Sequence, residues 1–335
     1  MNKIGFDTDL YIENQIKQIE KKLNGPCQKV YLEIGGKLFQ DRHASRVLPG
    51  YREDARFEVV KKLALLGNIL IAVSSKDIIR NRIRGDFKIS YDKETLRTID
   101  ELRSRGLKVD HVVITMFEKG MEDDKKLISF EDELKKHNIS VFHFFASEKH
   151  RSGSFSAIDL EKNDYIKFPS RIVSVIAPGG GSGKFGVCIS QLYHEMKNGV
   201  TPTYFSLGAF PIYELPSSHL INLAYLAAMA DVNDNLVKDP NKQDSLLTER
   251  EILNFQILKQ LSESFKKEGK YLRKITSATD MCVSSLSSGI IDMEVIEQES
   301  AAEIARRYMR YKLEYERGQE SKETLERARK ILLMI

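Results

Sequence analysis

Cysteine is scarce in this 335-residue chain: only Cys27, Cys188 and Cys282 occur, far apart and without metal-ligand spacing. That excludes a disulfide framework and a structural zinc site, and it fits a reducing, cytoplasmic setting. Long apolar runs are also missing. The two strongest, near residues 63–73 and 220–230, fall short of the roughly 18 apolar residues that a membrane span needs. The first 23 residues lack an apolar core followed by a small-residue cleavage site, so they read as the start of a domain and not as a signal peptide. Charge of one sign is not in excess, since 52 basic residues face 48 acidic ones for a formal charge of +4. With no basic tail and no RNA-reading signature, nucleic acid is not the expected partner.

What is present is a regular alternation. Apolar spacing predicts a helix over 9–23, a strand over 29–34, a helix over 53–66, a strand over 68–73, a helix over 92–105 and a strand over 110–115. Ser129 and Asp132 have the spacing of a capping box ahead of a strand over 139–144, although residues 124–128 also suit a helix. Residues 146–168 are polar and aperiodic, and read as a long crossing loop of the kind that often carries function. The pattern resumes with a strand over 171–177, a helix over 184–197 and a strand over 202–206. Four further segments, 220–230, 245–267, 297–317 and 321–334, are helical by pattern. The expected fold class is α/β, a mostly parallel sheet of Rossmann-like and P-loop-like units followed by a mainly helical region. The expected division is an α/β domain over 1–145, a crossing loop over 146–170, a second α/β unit over 171–235 and a helical region over 236–335. The last helix ends in five apolar residues, which calls for a partner surface on this chain or a second subunit, or marks a longer protein cut short.

The segment Ala177-Pro178-Gly179-Gly180-Gly181-Ser182-Gly183-Lys184 joins a buried strand to a helix. Glycines let the backbone curl so that successive N–H groups face one point, and a helix start adds unpaired donors. Lys184 supplies a point charge for a phosphate. The match to a nucleotide P-loop is incomplete: Pro178 stands where the first glycine belongs, and Phe185 where a magnesium-binding hydroxyl belongs. The segment therefore supports a nucleotide or another phosphorylated ligand, but not magnesium. A plain strand-to-helix turn would need fewer glycines.

Other candidates lie at strand ends, where ligands gather in open α/β sheets. Glu33 and His43 are candidate general bases, with Lys37 and Arg46 as anion holders; a polar loop end explains them equally well. Arg80 and Arg84 share a face if the helix after the second strand persists, near Arg82 and Asp86. His219 is a candidate proton carrier one turn from Asn222, or a cap. Asp231, Asp234 and Asp239 suit a hard cation or ordinary turns. Cys188 is expected to be packed in its helix, and residues 279–281 are expected to return to the sheet edge.

Blocks spanning nearly the whole chain resemble the bacterial UPF0371, or DUF1846, family. They are YLEIGGKLFQDRHASRVLPGY at 31–51, RNRIRGDFKISYD at 80–92, APGGGSGKFGVCISQLYHE at 177–195, FPIYELPSSHLINLAYLAAMAD at 210–231 and SATDM at 277–281. The resemblance implies a cytoplasmic, oligomeric α/β protein with a P-loop-like APGPGSGK segment. It also implies that Phe185 is a family trait and that relatives continue well beyond this chain's length. Glu33, Lys37, His43, Arg46, Arg80, Arg84, the loop, and His219 match without assigned roles. The two resulting readings are binding of a phosphorylated small molecule, with or without chemistry on it, and a non-catalytic metabolite-sensing or structural homo-oligomer.

Overall fold

The computed structural model describes residues 3–64, 67–84, 88–208, 210–232 and 235–335. Helix α1 (Thr8–Leu23) is capped by Asp7 and leads to strand β1 (Lys29–Ile34). Helices α2 (Arg42–Val47) and α3 (Ala55–Ala64) precede β2 (Gly67–Ser74) and the short α4 (Ser75–Ile79). A two-residue ribbon, β3 (Ile83–Arg84) with β4 (Ile89–Ser90), opens onto α5 (Tyr91–Ser104). Then follow β5 (Val109–Phe117), α6 (Lys125–Lys136), β6 (Ser140–Phe145), α7 (Ala157–Glu161), β7 (Ile172–Ile176), α8 (Lys184–Lys197), β8 (Pro202–Leu207) and α9 (Leu220–Ala228).

The remaining chain adds an antiparallel ribbon of β9 (Leu236–Asp239) and β10 (Lys242–Thr248), α10 (Glu249–Ser264), β11 (Cys282–Val283), α11 (Met293–Glu316) and α12 (Lys322–Leu332). Three sequence expectations are corrected here. Helix α6 starts at Lys125 with Asp124 as its cap, so Ser129 and Asp132 lie inside it. The helix expected over 245–267 begins only at Glu249, because Thr248 and Glu251 form the capping box and the residues before them pair as β10. The crossing loop is not wholly irregular, since it holds α7 and a 3₁₀ turn over Glu148–Ser152.

Seven strands form one sheet in the order β11-β8-β1-β7-β2-β5-β6, and every neighbouring pair is parallel. Parallel strands must be covered on both faces, which is why they read as continuous apolar runs. Val30, Leu32, Ile69, Ile71, Ile114 and Ile172 join one core. Tyr31, Leu70, Val113, Val173 and Val175, each one residue out of step, join the other beneath α8 and α10.

From β1 the chain passes over β7 to β2 by way of α3, which packs into the first core. From β7 it passes over β1 to β8 by way of α8, in the second core. The two connections leave in opposite directions and on opposite faces, so a crevice opens at the carboxyl ends of β1 and β7. In open α/β sheets that switch point is where ligands sit.

Candidate functional site at the carboxyl edge of β1 and β7

Residues 177–183 leave β7 at this crevice. Gly181 and Gly183 adopt left-handed backbone angles, φ +75° and +77°. Ser182 closes the turn by donating from Oγ to the Gly179 carbonyl at 2.8 Å, and Thr115 Oγ1, from β5, donates to the Ser182 carbonyl at 2.7 Å. Two glycines are required by close approach: a Cβ on Gly183 would lie 2.8 Å from Thr115 Oγ1, and one on Gly179 would lie 2.6 Å from Tyr91 Oη. Gly180 and Gly181 face open space. At the start of α8, no N–H group from 183 to 186 donates to a protein acceptor among the described residues, since the first bond of the helix runs from Val187 N–H to the Gly183 carbonyl. The turn and helix start thus present a row of unpaired donors, the requirement for an anion cradle.

Lys184 turns inward. Its side chain is 8% exposed, and Nζ lies 3.9 Å from a carboxylate oxygen of Glu33, which is itself 17% exposed. Strand parity brings them together: Glu33 follows Tyr31 by two residues, so both face α8. Tyr204, on β8, donates from Oη to the other Glu33 oxygen at 2.8 Å. Burial, reinforced by the Glu33 charge, pushes the Tyr204 phenol well above its ordinary value, so it stays a donor. Phe185, at the position a magnesium-binding hydroxyl would take, is buried edge-on to Tyr204 with ring centroids 5.7 Å apart. That position serves the core.

The loop after β1 is held by a residue the sequence did not single out. Arg56, buried on α3, donates to the Gly35 carbonyl at 2.6 Å and pairs with Asp41 at 3.1 Å. Lys37, in that loop, borders a small cavity with Glu94, Ala177 and Pro178, so it stands beside the glycine turn. Beyond β2 the helix stops at Ile79, Asn81 takes a left-handed angle, and Arg84 lies in the ribbon. Arg80 and Arg84 therefore share no helix face; Arg80 is exposed, and the Arg84 side chain and Asp86 fall outside the described residues. Arg82 pairs with Asp77 at 3.2 Å and lies 5.4 Å from the ring centroid of Tyr91, the residue that Gly179 approaches.

His43, Arg46 and His219 are engaged elsewhere. Arg46 donates to Glu303 of α11 at 2.8 and 2.9 Å, and His43 Nδ1 lies 3.4 Å from the same carboxylate. Burial lowers the His43 imidazole below its ordinary value, against the pull of Glu303, and favours its neutral form. His219 caps α9, accepting from Ile221 N–H at 3.3 Å, with Glu297 3.3 Å from Nε2. Asn222 is fully buried and ties down the preceding loop through Ile212 N–H at 2.9 Å and the Pro216 carbonyl at 3.0 Å. Asn222→Ala leaves these groups unpaired and is expected to cost about 1–3 kcal/mol in urea unfolding.

Of the aspartates, Asp239 is buried and accepts from Thr279 N–H and Oγ1, Asp231 lies 3.3 Å from Tyr311 Oη, and Asp234 falls outside the described residues. Among the described residues no three His, Cys, Asp or Glu side chains are grouped to hold a metal ion. Cys188 is fully buried in α8, and burial pushes its thiol well up, so it packs as a small apolar group. The 279–281 turn leads into β11, which pairs with the end of β8. There Cys282 meets Ser206 Oγ at 3.3 Å and Glu251 at 3.5 Å. No helix among the described residues is long and apolar enough to cross a membrane.

Comparison with known proteins gives the family. The chain is 40% identical to a UPF0371 protein of Clostridium tetani over 98% of its own length and 66% of that protein's. A UPF0371 protein of Fusobacterium nucleatum is 39% identical, over 98% of this chain and 65% of that one. One from Clostridium botulinum strain Eklund 17B is 38% identical, over 98% and 66%. The chain thus spans about two thirds of the length of the curated relatives it matches. Residues 4–334 also match the model described as domain of unknown function DUF1846, N-terminal. With that match covering nearly every residue from α1 to α12, the chain belongs to the DUF1846 (UPF0371) family.

Proposed function

We propose that the chain binds a phosphorylated small molecule, a nucleotide or sugar phosphate, in the crevice between β1 and β7. The observation that carries this reading is the run of unpaired N–H groups over 183–186, at the start of α8 and beside Lys184. One phosphate group accepts several such donors at once, and the dipole of a 14-residue helix favours it. The buried Phe185 argues against magnesium held from the position after the lysine. Of the candidate bases Glu33, His43 and His219, Glu33 is the one that adjoins Lys184 among the described residues, which makes it the candidate for an acid–base step on the ligand. The second reading is a non-catalytic sensor, favoured by the engagement of His43, Arg46 and His219 with Glu303 and Glu297, away from the turn.

Calorimetry and thermal shift with a panel of nucleotides and sugar phosphates test both readings. At least one ligand is expected to bind the intact chain, with affinity about tenfold or more weaker in Lys184→Ala, the loss of one charge-assisted contact. If no phosphorylated ligand binds the intact chain, the proposal fails. Binding without turnover selects the sensor.

A further inference from the structure

Glu303 gathers more positive charge around it than an interhelical brace needs. Its side chain is 1% exposed and accepts from three guanidinium groups: Arg46 of α2 through Nε and Nη2, and Arg306 and Arg307 of α11 through Nε at 2.9 and 2.8 Å. With His43 also at 3.4 Å, the roughly four lone-pair sites of one carboxylate are taken. Each guanidinium has about five N–H donors, so most of those on the three arginines remain. Among the described residues, the other carboxylate paired here is Glu299, 3.7 Å from Arg306. Three arginines therefore meet two acids, and one positive charge is left over.

These residual donors are within reach of solvent. Arg46 is 40% and Arg306 45% exposed, while Arg307 is 14% exposed and lies deeper against His43. Arg46 commits Nε and Nη2 to Glu303, which fixes the plane of its fork and leaves Nη1 without a protein partner among the described residues. Planar forks fixed by a buried acid suit the tetrahedral oxygens of a phosphate group, which a guanidinium meets with paired hydrogen bonds. Two helices more than 250 residues apart in sequence contribute, as the Arg46–Glu303 separation of 257 shows.

We propose that Arg46, Arg306 and Arg307 form a second anion site, for a phosphate group, on the seam between α2 and α11. Glu303 is its positioning residue, holding the three guanidiniums in register without touching the ligand. This site does not depend on the glycine turn.

The test is a titration with inorganic phosphate followed by NMR of the arginine Nε–H signals, made on the Lys184→Ala chain so that the turn contributes little. Saturable shifts of the Arg46, Arg306 and Arg307 signals are expected. Arg306→Gln is expected to weaken binding about tenfold while leaving the urea midpoint nearly unchanged, because its side chain is half-exposed. Arg46→Gln is expected to weaken binding similarly. Chloride of equal ionic strength is expected to leave the signals in place. Shifts that never saturate, that chloride reproduces, or that survive both substitutions with unchanged affinity would overturn the proposal and leave the cluster as a brace.

Discussion

Gly183→Ala is expected to destabilise the chain by about 2–5 kcal/mol and to abolish whatever anion binding the turn supports. Two independent penalties add. The left-handed angle of φ +77° costs a residue with a side chain about 1–2 kcal/mol. The new Cβ would also lie 2.8 Å from Thr115 Oγ1 and 2.9 Å from Thr115 Cβ, a backbone-anchored group that cannot swing away. Relief requires the turn to move off β5, which breaks the 2.7 Å bond from Thr115 to Ser182 and shifts the first N–H groups of α8. Gly180→Ala is the control, since nothing lies within 4 Å of its added carbon. Urea unfolding of both variants decides the matter: equal midpoints would refute the steric account.

Glu303→Ala is expected to cost about 3–5 kcal/mol, the loss typical of removing one partner from a buried ion pair. The mechanism is repulsion left largely uncompensated, as Arg46, Arg306 and Arg307 would remain together with only the more distant Glu299 carboxylate, 3.7 Å from Arg306. The pH dependence carries a second signature. Burial alone would raise the Glu303 carboxyl, but His43, Arg46, Arg307 and Arg306 together hold it far below its ordinary range. A carboxyl depressed on folding stabilises fully above its unfolded pKa, about 4.3, and the contribution fades as pH falls below that value toward the folded one. Unfolding free energy measured between neutral and acid pH is thus expected to fall more steeply below about pH 4 in the parent chain than in Glu303→Ala. Parallel acid limbs would mean that Glu303 is not the group responsible.

The strands were legible because a sheet buried on both faces needs apolar runs, and 30–32 and 69–73 have them. The helix over Lys184–Lys197 was legible to the residue, since the glycines before it and the glycine after it punctuate both ends. The ribbon over 236–248 was hidden, because Leu246 and Leu247 fall in phase with the helix that follows and no residue between them breaks the period. Strand β11 is two residues long and lies in a region otherwise rich in helix, too short to set a pattern. At the site, Glu33 and Lys184 could be suspected from strand-end and helix-start positions, but their pairing rests on β1 lying beside β7 and on the parity that turns Glu33 toward α8, which only a known strand order supplies. The fate of His43 and Arg46 was illegible for a plainer reason. Their partner Glu303 is about 260 residues away and sits in a helix whose charged residues look like ordinary surface.

The inward pose of Lys184 has one more consequence. A ligand seated on the turn would not capture an idle cation; it would exchange places with Glu33, which already lies 3.9 Å from the ammonium group. The gain on that exchange is the difference between two attractions, small for a singly charged anion and larger for a doubly charged one. Abundant monovalent ions would gain little by entering, whereas a phosphate dianion would still be drawn in. On the proposed reading of the turn, the carboxylate under the lysine would act as a threshold, sorting anions by valence before any contact with the rest of the ligand is made.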